Sequence, residues 1–180
     1  MKALLISAGL LLASPVFAQN VDLGKSQLVF TMKQMGVPVS GSFKKFAAKV
    51  SFDPAKAEQG SADISIDMNS ISLPTADANA EARKKDWFNT AQFAQARFVS
   101  SSIKPLGGNR YQVSGKLTLK GITRELSAPF TATAQGKAVS IDGSLPISRL
   151  AFRIGEGSWS DTGTVADTVD LRFRLVVANP

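Results

Sequence analysis

The sequence predicts an all-β fold of about eight antiparallel strands, closed as a barrel or packed as a sandwich, with one short helical insertion. Apolar and polar residues alternate through most of the chain, most clearly from Tyr111 to Gly121, as in a strand with one buried and one solvated face. Turn-forming residues such as Gly107-Gly108-Asn109 and Gly136-Lys137 separate these stretches. The two-residue period gives way to a helical pattern only once, in residues 76–85.

Three strands are predicted before this interruption. Residues 26–33 alternate, and a second strand runs from Gly41 to Phe52, with a change of phase that indicates a bulge near Lys44. Asp53-Pro54 ends the second strand, and the third alternates from residue 64 to residue 68. The short loops between these strands favour antiparallel neighbours.

The helical insertion and five further strands complete the pattern. Thr75 is a suitable N-cap for a helix over residues 76–85, and Asn89 is a candidate cap for a second short turn. Alternation then resumes, which predicts strands over residues 97–103, 110–120, 125–135, 139–147 and 169–177.

The charged residues fix which face of each strand points inward. Lysine and arginine occur near strand centres on the polar face, and each would cost about 2–4 kcal/mol if it faced lipid at the bilayer midplane. If the polar face lined the interior of a small barrel, the same charges would be buried, which would cost even more free energy. We therefore expect a barrel with an apolar interior and a solvated exterior. The residues used for this argument are Lys45, Lys49, Lys116, Lys120, Arg172 and Arg174.

An eight-stranded barrel can fill its interior with its own side chains or hold one small ligand. Several inward positions carry small residues, which leave either unfilled volume or closely packed sheets. Alternation alone leaves both interpretations open. These small positions are Ala48, Gly115, Ala128, Ala132, Ala134 and Gly143.

Composition excludes several classes of function. The chain contains no Cys and no His, so disulfides, ordinary zinc sites and His-dependent hydrolase triads are excluded. The formal net charge is +7, but the basic residues are dispersed, and we expect no nucleic-acid partner. A solvated basic surface and a transient contact with anionic lipid headgroups both remain open.

The first residues have the pattern of an export signal. Lys2 is followed by the apolar run Ala3–Ala13, which is short for a membrane span, and Val16-Phe17-Ala18 fits a signal peptidase site. We therefore expect a signal peptide over residues 1–18, a mature domain over residues 19–180 and a periplasmic location.

Four stretches together carry a resemblance to a known family. In their order and spacing the chain resembles the YceI-like family of exported lipid-binding proteins, from about Val21 to Val177. The stretches are Gly41–Phe46 with Phe52-Asp53, Asp86–Asn89 with Phe98, Val113–Arg124, and Arg149–Gly155 with Trp159.

The resemblance implies a lipocalin-like eight-stranded barrel that holds a long isoprenoid or other amphiphilic chain and has no catalytic activity. Related domains occur beside b-type cytochromes, so a quinone-like lipid is one implied ligand. An accessory role in a membrane redox or stress-response system is the alternative. Many relatives carry His where this chain has Gln34. This difference changes the polar contacts expected near the opening and therefore the headgroup that the site would prefer. No cofactor other than such a lipid is expected, and a homodimer is among the assemblies considered.

The candidate binding residues are those that the alternation turns inward, together with the aromatic residues of the insertion. The strand residues either line a ligand tunnel or simply pack the core, and the sequence leaves both interpretations open. Trp87 and Phe88 form either a lid over the barrel or a plug inside it. Arg149 either meets a pyrophosphate or pairs with Asp167, and the pairing is favoured because an Arg at a strand end commonly meets a carboxylate. The full set is Phe30, Met32, Phe46, Phe52, Ile66, Met68, Trp87, Phe88, Leu117, Leu119, Phe130, Arg149 and Phe152.

A catalytic alternative would need the carboxylates that follow the seventh predicted strand. Glu156, Asp161 and Asp167 are the candidate acids or bases, but they fall in one turn-like segment. The same segment is rich in oxygen donors and lacks the spacing of an EF-hand, so we expect no metal site there. The sequence therefore favours a binding protein over an enzyme.

Overall fold

A computed structural model describes residues 21–178. The predicted signal peptide, residues 1–18, lies outside the described residues. Within them, no helix is both long enough and apolar enough to span a bilayer.

Ten strands and one α-helix make up the regular structure of residues 21–178, and neighbouring strands are antiparallel throughout. The strands are β1 (Gln27–Gln34), β2 (Val37–Phe43), β3 (Phe46–Ser51), β4 (Ser61–Asp67), β5 (Ile71–Ser72), β6 (Gln95–Gly107), β7 (Arg110–Leu119), β8 (Ile122–Gln135), β9 (Ala138–Ser148) and β10 (Thr168–Ala178). The helix α1 spans Ala76–Arg83, and short 3₁₀ turns cover Pro54–Gln59, Met68–Ser70, Leu150–Phe152 and Gly157–Ser160.

The strand count is ten rather than the predicted eight, because the second predicted strand is bent into two segments and a two-residue strand, which the alternation did not predict, follows the third. Lys44 and Lys45 separate β2 from β3, and the 3₁₀ turn Met68–Ser70 separates β4 from β5. The sheet order is β3-β4-β6-β7-β8-β9-β10-β1-β2-β5, so β2 and β3 lie near opposite ends of the order although two residues join them. The sheet must therefore curl until its ends are adjacent. Lys44 N–H donates to the Ser70 carbonyl at 3.1 Å and Asp67 N–H to the Lys45 carbonyl at 3.0 Å.

Strand β7 follows the predicted alternation closely. Tyr111, Val113, Leu117 and Leu119 are buried, while the residues between them retain exposure. Lys120 and Gly121 form the turn to β8, both with positive φ (49° and 75°), as a two-residue hairpin requires. Lys120 departs from the expected outward orientation, since its side chain is only 7% exposed and pairs with Glu156 at 2.9 Å.

Helix α1 begins where the sequence predicts. Thr75 has extended backbone, and its Oγ1 accepts from Ala78 N–H at 3.2 Å. The helix ends at Arg83, two residues earlier than predicted, and a chain of turns follows up to β6. The predicted second short turn does begin at Asn89, whose carbonyl accepts from Gln92 N–H at 3.0 Å and Phe93 N–H at 2.9 Å, but the Asn89 φ of 48° is not the extended backbone of an N-cap.

One end of the barrel is closed by three aromatic rings, which we call the floor cluster: Phe52, Tyr111 and Phe130. Their ring centroids lie 5.1–5.5 Å apart. Since the arrangement combines edge-on and stacked contacts, this end is densely packed.

Large rings also fill the space beside the inward-facing glycines. Phe173 lies against Gly143, its direct cross-strand partner, and Phe30 lies against its partner Gly41 in the same way. Phe98 covers Gly115. The small residues at positions 115 and 143 therefore leave no empty volume, and the hollow of the barrel lies elsewhere.

Candidate functional site

An apolar cavity of about 410 Å³ occupies the end of the barrel near α1. Its wall combines the inward faces of several strands with α1, the segment after α1, and the loop between β9 and β10, residues 149–167. The volume falls within the range of about 300–1,000 Å³ typical of small-molecule pockets.

A narrower hollow of about 110 Å³ continues toward the floor cluster. Ile66, Leu117, Ile147 and Leu171 line both spaces, so the two spaces adjoin. Phe52 and Phe130 line the far part of the narrow space. The hollow thus tapers from α1 toward the closed end, which suits a chain-like ligand better than a flat one.

Most of the predicted binding residues meet in this hollow. Phe52 and Phe130 line only the narrow part, whereas Phe46 packs against the core near the floor cluster and borders an outer groove. Phe152 is buried beside the cavity wall without lining the cavity. The predicted residues that line the main cavity are Phe30, Met32, Ile66, Met68, Trp87, Phe88, Leu117, Leu119 and Arg149.

Sequence reasoning missed three kinds of lining residue, of which the first comprises Ala78 and Ala82 on the inner face of α1. Leu171 and Ile147 share the inward face of their strands, and the alternation could have identified them. Trp159 and Val165 come from the β9–β10 loop, where no periodic pattern indicates which side chains point inward.

Two tryptophans and a phenylalanine form the cap of the cavity: Trp87, Phe88 and Trp159. The two indole centroids lie 5.5 Å apart. Two hydrogen bonds join the parts of the chain that carry the cap: the Asp86 carbonyl accepts from Gly155 N–H and from Glu156 N–H, both at 2.8 Å. The segment after α1 and the β9–β10 loop therefore cover the cavity as one hydrogen-bonded unit.

Arg149 belongs to the wall and has no free hydrogen-bond donor. Its guanidinium donates to the carbonyls of Ile154, Gly155, Trp159, Val165 and Ala166 at 2.7–3.1 Å. An arginine has five N–H bonds, so all of them are used and none is left for a pyrophosphate. Burial lowers the pKa of Arg149, while the Asp167 charge opposes that shift.

The expected pairing of Arg149 with Asp167 is wrong in its geometry. Asp167 Oδ1 instead accepts from Leu150 N–H at 2.9 Å and from the Ser148 hydroxyl at 3.0 Å. The arginine side chain runs into the β9–β10 loop because the loop carbonyls converge on it.

Trp87 carries an unusual buried donor. The side chain is 8% exposed and lines the cavity. Among the described residues its Nε1–H has no hydrogen-bond partner, and the atom is closed to water. The Arg149 guanidinium lies over the same indole, 5.9 Å from its centroid.

Polar residues mark the open side of the cavity. Gln34 at the end of β1, and Asp77 and Glu81 on α1, line the cavity and retain exposure. Lys84 Nζ lies 2.6 Å from Glu81 Oε2. The opening therefore lies between α1 and β1, where a ligand can enter past polar side chains.

The candidate catalytic carboxylates lie outside the cavity lining, and each is engaged in structural contacts. Hydrogen bonds from Lys120 and Arg153 lower the pKa of Glu156. Hydrogen bonds from Thr164 and Gly163 lower the pKa of Asp161. A lowered pKa makes a carboxylic acid a poorer proton donor near neutral pH. Residues 21–178 also contain no group of three or more His, Cys, Asp or Glu side chains placed to hold a metal ion.

The YceI-like domain model matches residues 19–177. A UPF0312 protein of Pseudomonas fluorescens is 29% identical over 95% of this chain and 92% of its own length. A UPF0312 protein of Shewanella denitrificans is 31% identical over 75% of this chain and 73% of its own.

Solved structures show the same fold. The crystal structure of Burkholderia cenocepacia BcnA is similar with a TM-score of 0.85 and 50% identity, covering 87% of this chain and 99% of that one. A Saccharophagus degradans domain described as polyisoprenoid-binding has a TM-score of 0.72 at 19% identity, covering 91% of this chain and 99% of that one. With the family model matched along nearly the whole of the described barrel, the chain belongs to the YceI-like family.

Proposed function

We propose that this protein binds a long isoprenoid-type lipid inside its barrel, in the periplasm, and carries or sequesters it. The observation that carries the proposal is the tapering apolar hollow between the cap and the floor cluster. Burying a hydrocarbon chain there contributes about 0.8 kcal/mol per CH₂ group. A branched chain needs an adaptable wall, and Met32 and Met68 supply flexible thioethers at the cavity surface.

A comparison supports the class of ligand, and the signal-like pattern of residues 1–18 supports the location. The Saccharophagus degradans domain, which is described as polyisoprenoid-binding, shares the fold of this chain. The family match begins at residue 19, immediately after the proposed signal peptidase site. A polyprenyl or quinone-like lipid in the periplasm is consistent with both.

We also propose that the protein acts without catalysis. The residues that line the main cavity include two carboxylates, Asp77 and Glu81, and both stand at the open side. The carboxylates of the β9–β10 loop are held by hydrogen bonds instead of facing the ligand space. These positions leave the interior without an evident acid–base pair.

Native mass spectrometry of protein purified from the periplasm tests the carrier function. We expect an isoprenoid mass adduct that solvent extraction recovers. Ala82→Phe would fill the cavity from α1, since Ala82 lines it, and should remove the adduct. Ala80→Phe places the same ring on the exposed side of the same helix and should keep it. Wild-type protein that carries no lipid, before and after incubation with a polyprenyl lipid, would contradict the proposal.

A transient contact with an anionic membrane surface is part of the proposal. The β1–β2 hairpin tip exposes Met35 and Val37 by 75% and 62%, beside Lys33 and next to the cavity-lining Gln34. Exposed apolar residues with neighbouring positive charge favour a bilayer interface.

Co-sedimentation with phosphatidylglycerol vesicles measures this contact. We expect the double variant Met35→Ser/Val37→Ser to bind vesicles more weakly than wild type. Leu106→Ser is the matched control, because Leu106 is 48% exposed near the β6–β7 hairpin at the floor-cluster end of the barrel. If wild type and both variants bind the vesicles equally, the β1–β2 hairpin does not contact the membrane.

A further inference from the structure

The Nε1–H group of Trp87 has no hydrogen-bond partner within residues 21–178, and this indicates what kind of polar group the ligand carries. Most buried N–H groups in proteins are hydrogen-bonded, and an unmade bond is costly to leave in a folded structure. Trp87 Nε1–H has no partner among the described residues, and water is excluded from it. A phenylalanine would fill much of the same space without this cost. The indole N–H is therefore suited to a hydrogen-bond acceptor that a bound ligand supplies.

The surroundings of Trp87 favour an oxygen atom at this place. The guanidinium of Arg149 lies 5.9 Å from the indole centroid and is itself 2% exposed. Its five N–H bonds are already donated to carbonyls, so it contributes a positive field without further hydrogen bonds. A partial negative charge on a ligand oxygen near Trp87 is stabilised by that field.

A fully charged head does not suit this site. A buried phosphate needs several donors to replace its hydration, whereas Trp87 Nε1 is the single buried side-chain nitrogen or oxygen without a partner in residues 21–178. The carboxylates of Asp77 and Glu81 at the opening would also repel an anion. One donor and a positive field match an uncharged acceptor such as a carbonyl, ether or epoxide oxygen.

We propose that the cavity selects isoprenoid lipids whose head carries an uncharged acceptor oxygen, and that Trp87 Nε1–H donates to that oxygen under the cap. This inference rests on the proposed lipid-binding function and adds the class of head and its orientation. The donor is closed to water in the present arrangement, so the indole turns when the ligand enters. Its neighbour Trp159 is half-buried, and the two indole centroids lie 5.5 Å apart at an interplanar angle of 58°.

Squalene and 2,3-oxidosqualene test the inference, because they share one isoprenoid chain and differ by one acceptor oxygen. Each lipid is titrated in competition with a fluorescent fatty acid. Wild-type protein should bind the epoxide about fivefold more tightly, as one net hydrogen bond predicts. Trp87→Phe should bind the two lipids equally. Tyr111→Phe, which removes a ring hydroxyl in the floor cluster, should keep the wild-type preference.

The outcomes separate the inference from the function on which it rests. A fivefold preference that survives in Trp87→Phe, or equal binding of both lipids by wild type, would overturn the role of Trp87 and leave lipid binding intact. If wild-type protein binds neither lipid, the proposed function itself fails.

A second measurement does not depend on the folding of Trp87→Phe. The chain has two tryptophans, so Trp159→Phe leaves Trp87 as the sole indole reporter. Its fluorescence emission should shift to longer wavelength with oxidosqualene and not with squalene. The same spectrum with both lipids would count against a hydrogen bond at this atom.

Discussion

At the scale of single residues, Arg149 shows how one side chain can organise a loop. Its five hydrogen bonds gather carbonyls from both arms of the β9–β10 loop around one buried guanidinium. Between β9 and β10, the regular structure is limited to the 3₁₀ turns Leu150–Phe152 and Gly157–Ser160. The cap residue Trp159 comes from this loop, so Arg149 positions the wall of the cavity without being a ligand donor.

Replacing Arg149 with lysine tests that role. Lysine keeps the charge but has three donors and no planar fork, so at least two carbonyls lose their partners. We expect the free energy of unfolding to fall by about 2–4 kcal/mol, measured by urea denaturation. Arg172→Lys, at an exposed position of β10, should change it by less than about 0.5 kcal/mol. Equal effects of the two substitutions would contradict the role assigned to Arg149.

The sequence alone could identify some of these residues and not others. Phe30, Met32 and Leu117 were predictable as inward-facing because strand periodicity fixes the direction of their side chains. The partners of Arg149 were not, since they are backbone carbonyls of an irregular loop that carries no side-chain signature. Lys120 was misplaced because it lies in a turn, where alternation no longer specifies a face.

At the scale of elements, a phenylalanine ring on one strand occupies the space that a side chain on the facing glycine would need. A Cβ atom at Gly143 would collide with the Phe173 ring and would lie 2.7 Å from the Pro129 carbonyl oxygen. The absence of a side chain at Gly143 is therefore required by the ring across from it. The same arrangement at Gly41 and Phe30 borders the cavity itself.

We expect Gly143→Ala to destabilise the protein by about 1–3 kcal/mol through overpacking. Adding Phe173→Leu should recover part of this loss, because the smaller side chain vacates the space of the ring. Thermal unfolding of the two single variants and the double variant measures the coupling. Strictly additive effects would show that the ring is not what excludes the methyl group.

The cap should loosen in acid, because Glu156 joins Lys120 and Arg153 beside it. Hydrogen bonds from these two residues lower the pKa of Glu156 below its ordinary value of 4.5. A carboxylate with a lowered pKa stabilises the folded state above its ordinary pKa, and this contribution is lost as pH falls through the folded-state value. Wild-type melting temperature should therefore decline below about pH 4.5 partly through this residue.

Glu156→Gln isolates that contribution. Its melting temperature should be lower than that of wild type at neutral pH and should converge on it in acid. Glu125→Gln removes an exposed carboxylate of β8 that has no ion pair among the described residues, and it should follow the wild-type curve. A constant difference between Glu156→Gln and wild type across the pH range would contradict the assignment.

The number of strands shows the limit of a pattern-based prediction. Alternation found the long strands β7 and β10, because buried and exposed positions alternate along all of β7 and along β10 up to Arg174. It did not separate β2 from β3, because the change of phase at Lys44 also fits a bulge, and it did not find β5, which has only two residues. The bend between β2 and β3 follows from closing the sheet, which depends on strands far apart in the chain.

At the scale of the whole molecule, the barrel is packed at one end and hollow at the other. The floor cluster and the rings that cover Gly115 and Gly143 fill the half distant from α1, while the cap and α1 enclose the cavity. An empty apolar cavity lowers stability, since its lining lacks the contacts that a filled core would have. Composition and periodicity predicted an apolar interior. They did not predict which end is packed and which is hollow, because the packing of each ring depends on its cross-strand partner.

Lipid binding should therefore raise stability markedly. A ligand present at about 100 times its Kd stabilises the folded state by about 2.7 kcal/mol. For a domain of this size that corresponds to a rise of about 5–10 °C in Tm. Solvent-extracted protein should melt lower than protein reloaded with an isoprenoid lipid, and the difference should grow with lipid concentration. Ala82→Phe should melt at one temperature with and without lipid, because its ring occupies the space that the lipid would fill. If saturating lipid leaves the wild-type Tm unchanged, the hollow is not a binding site and the barrel has another role.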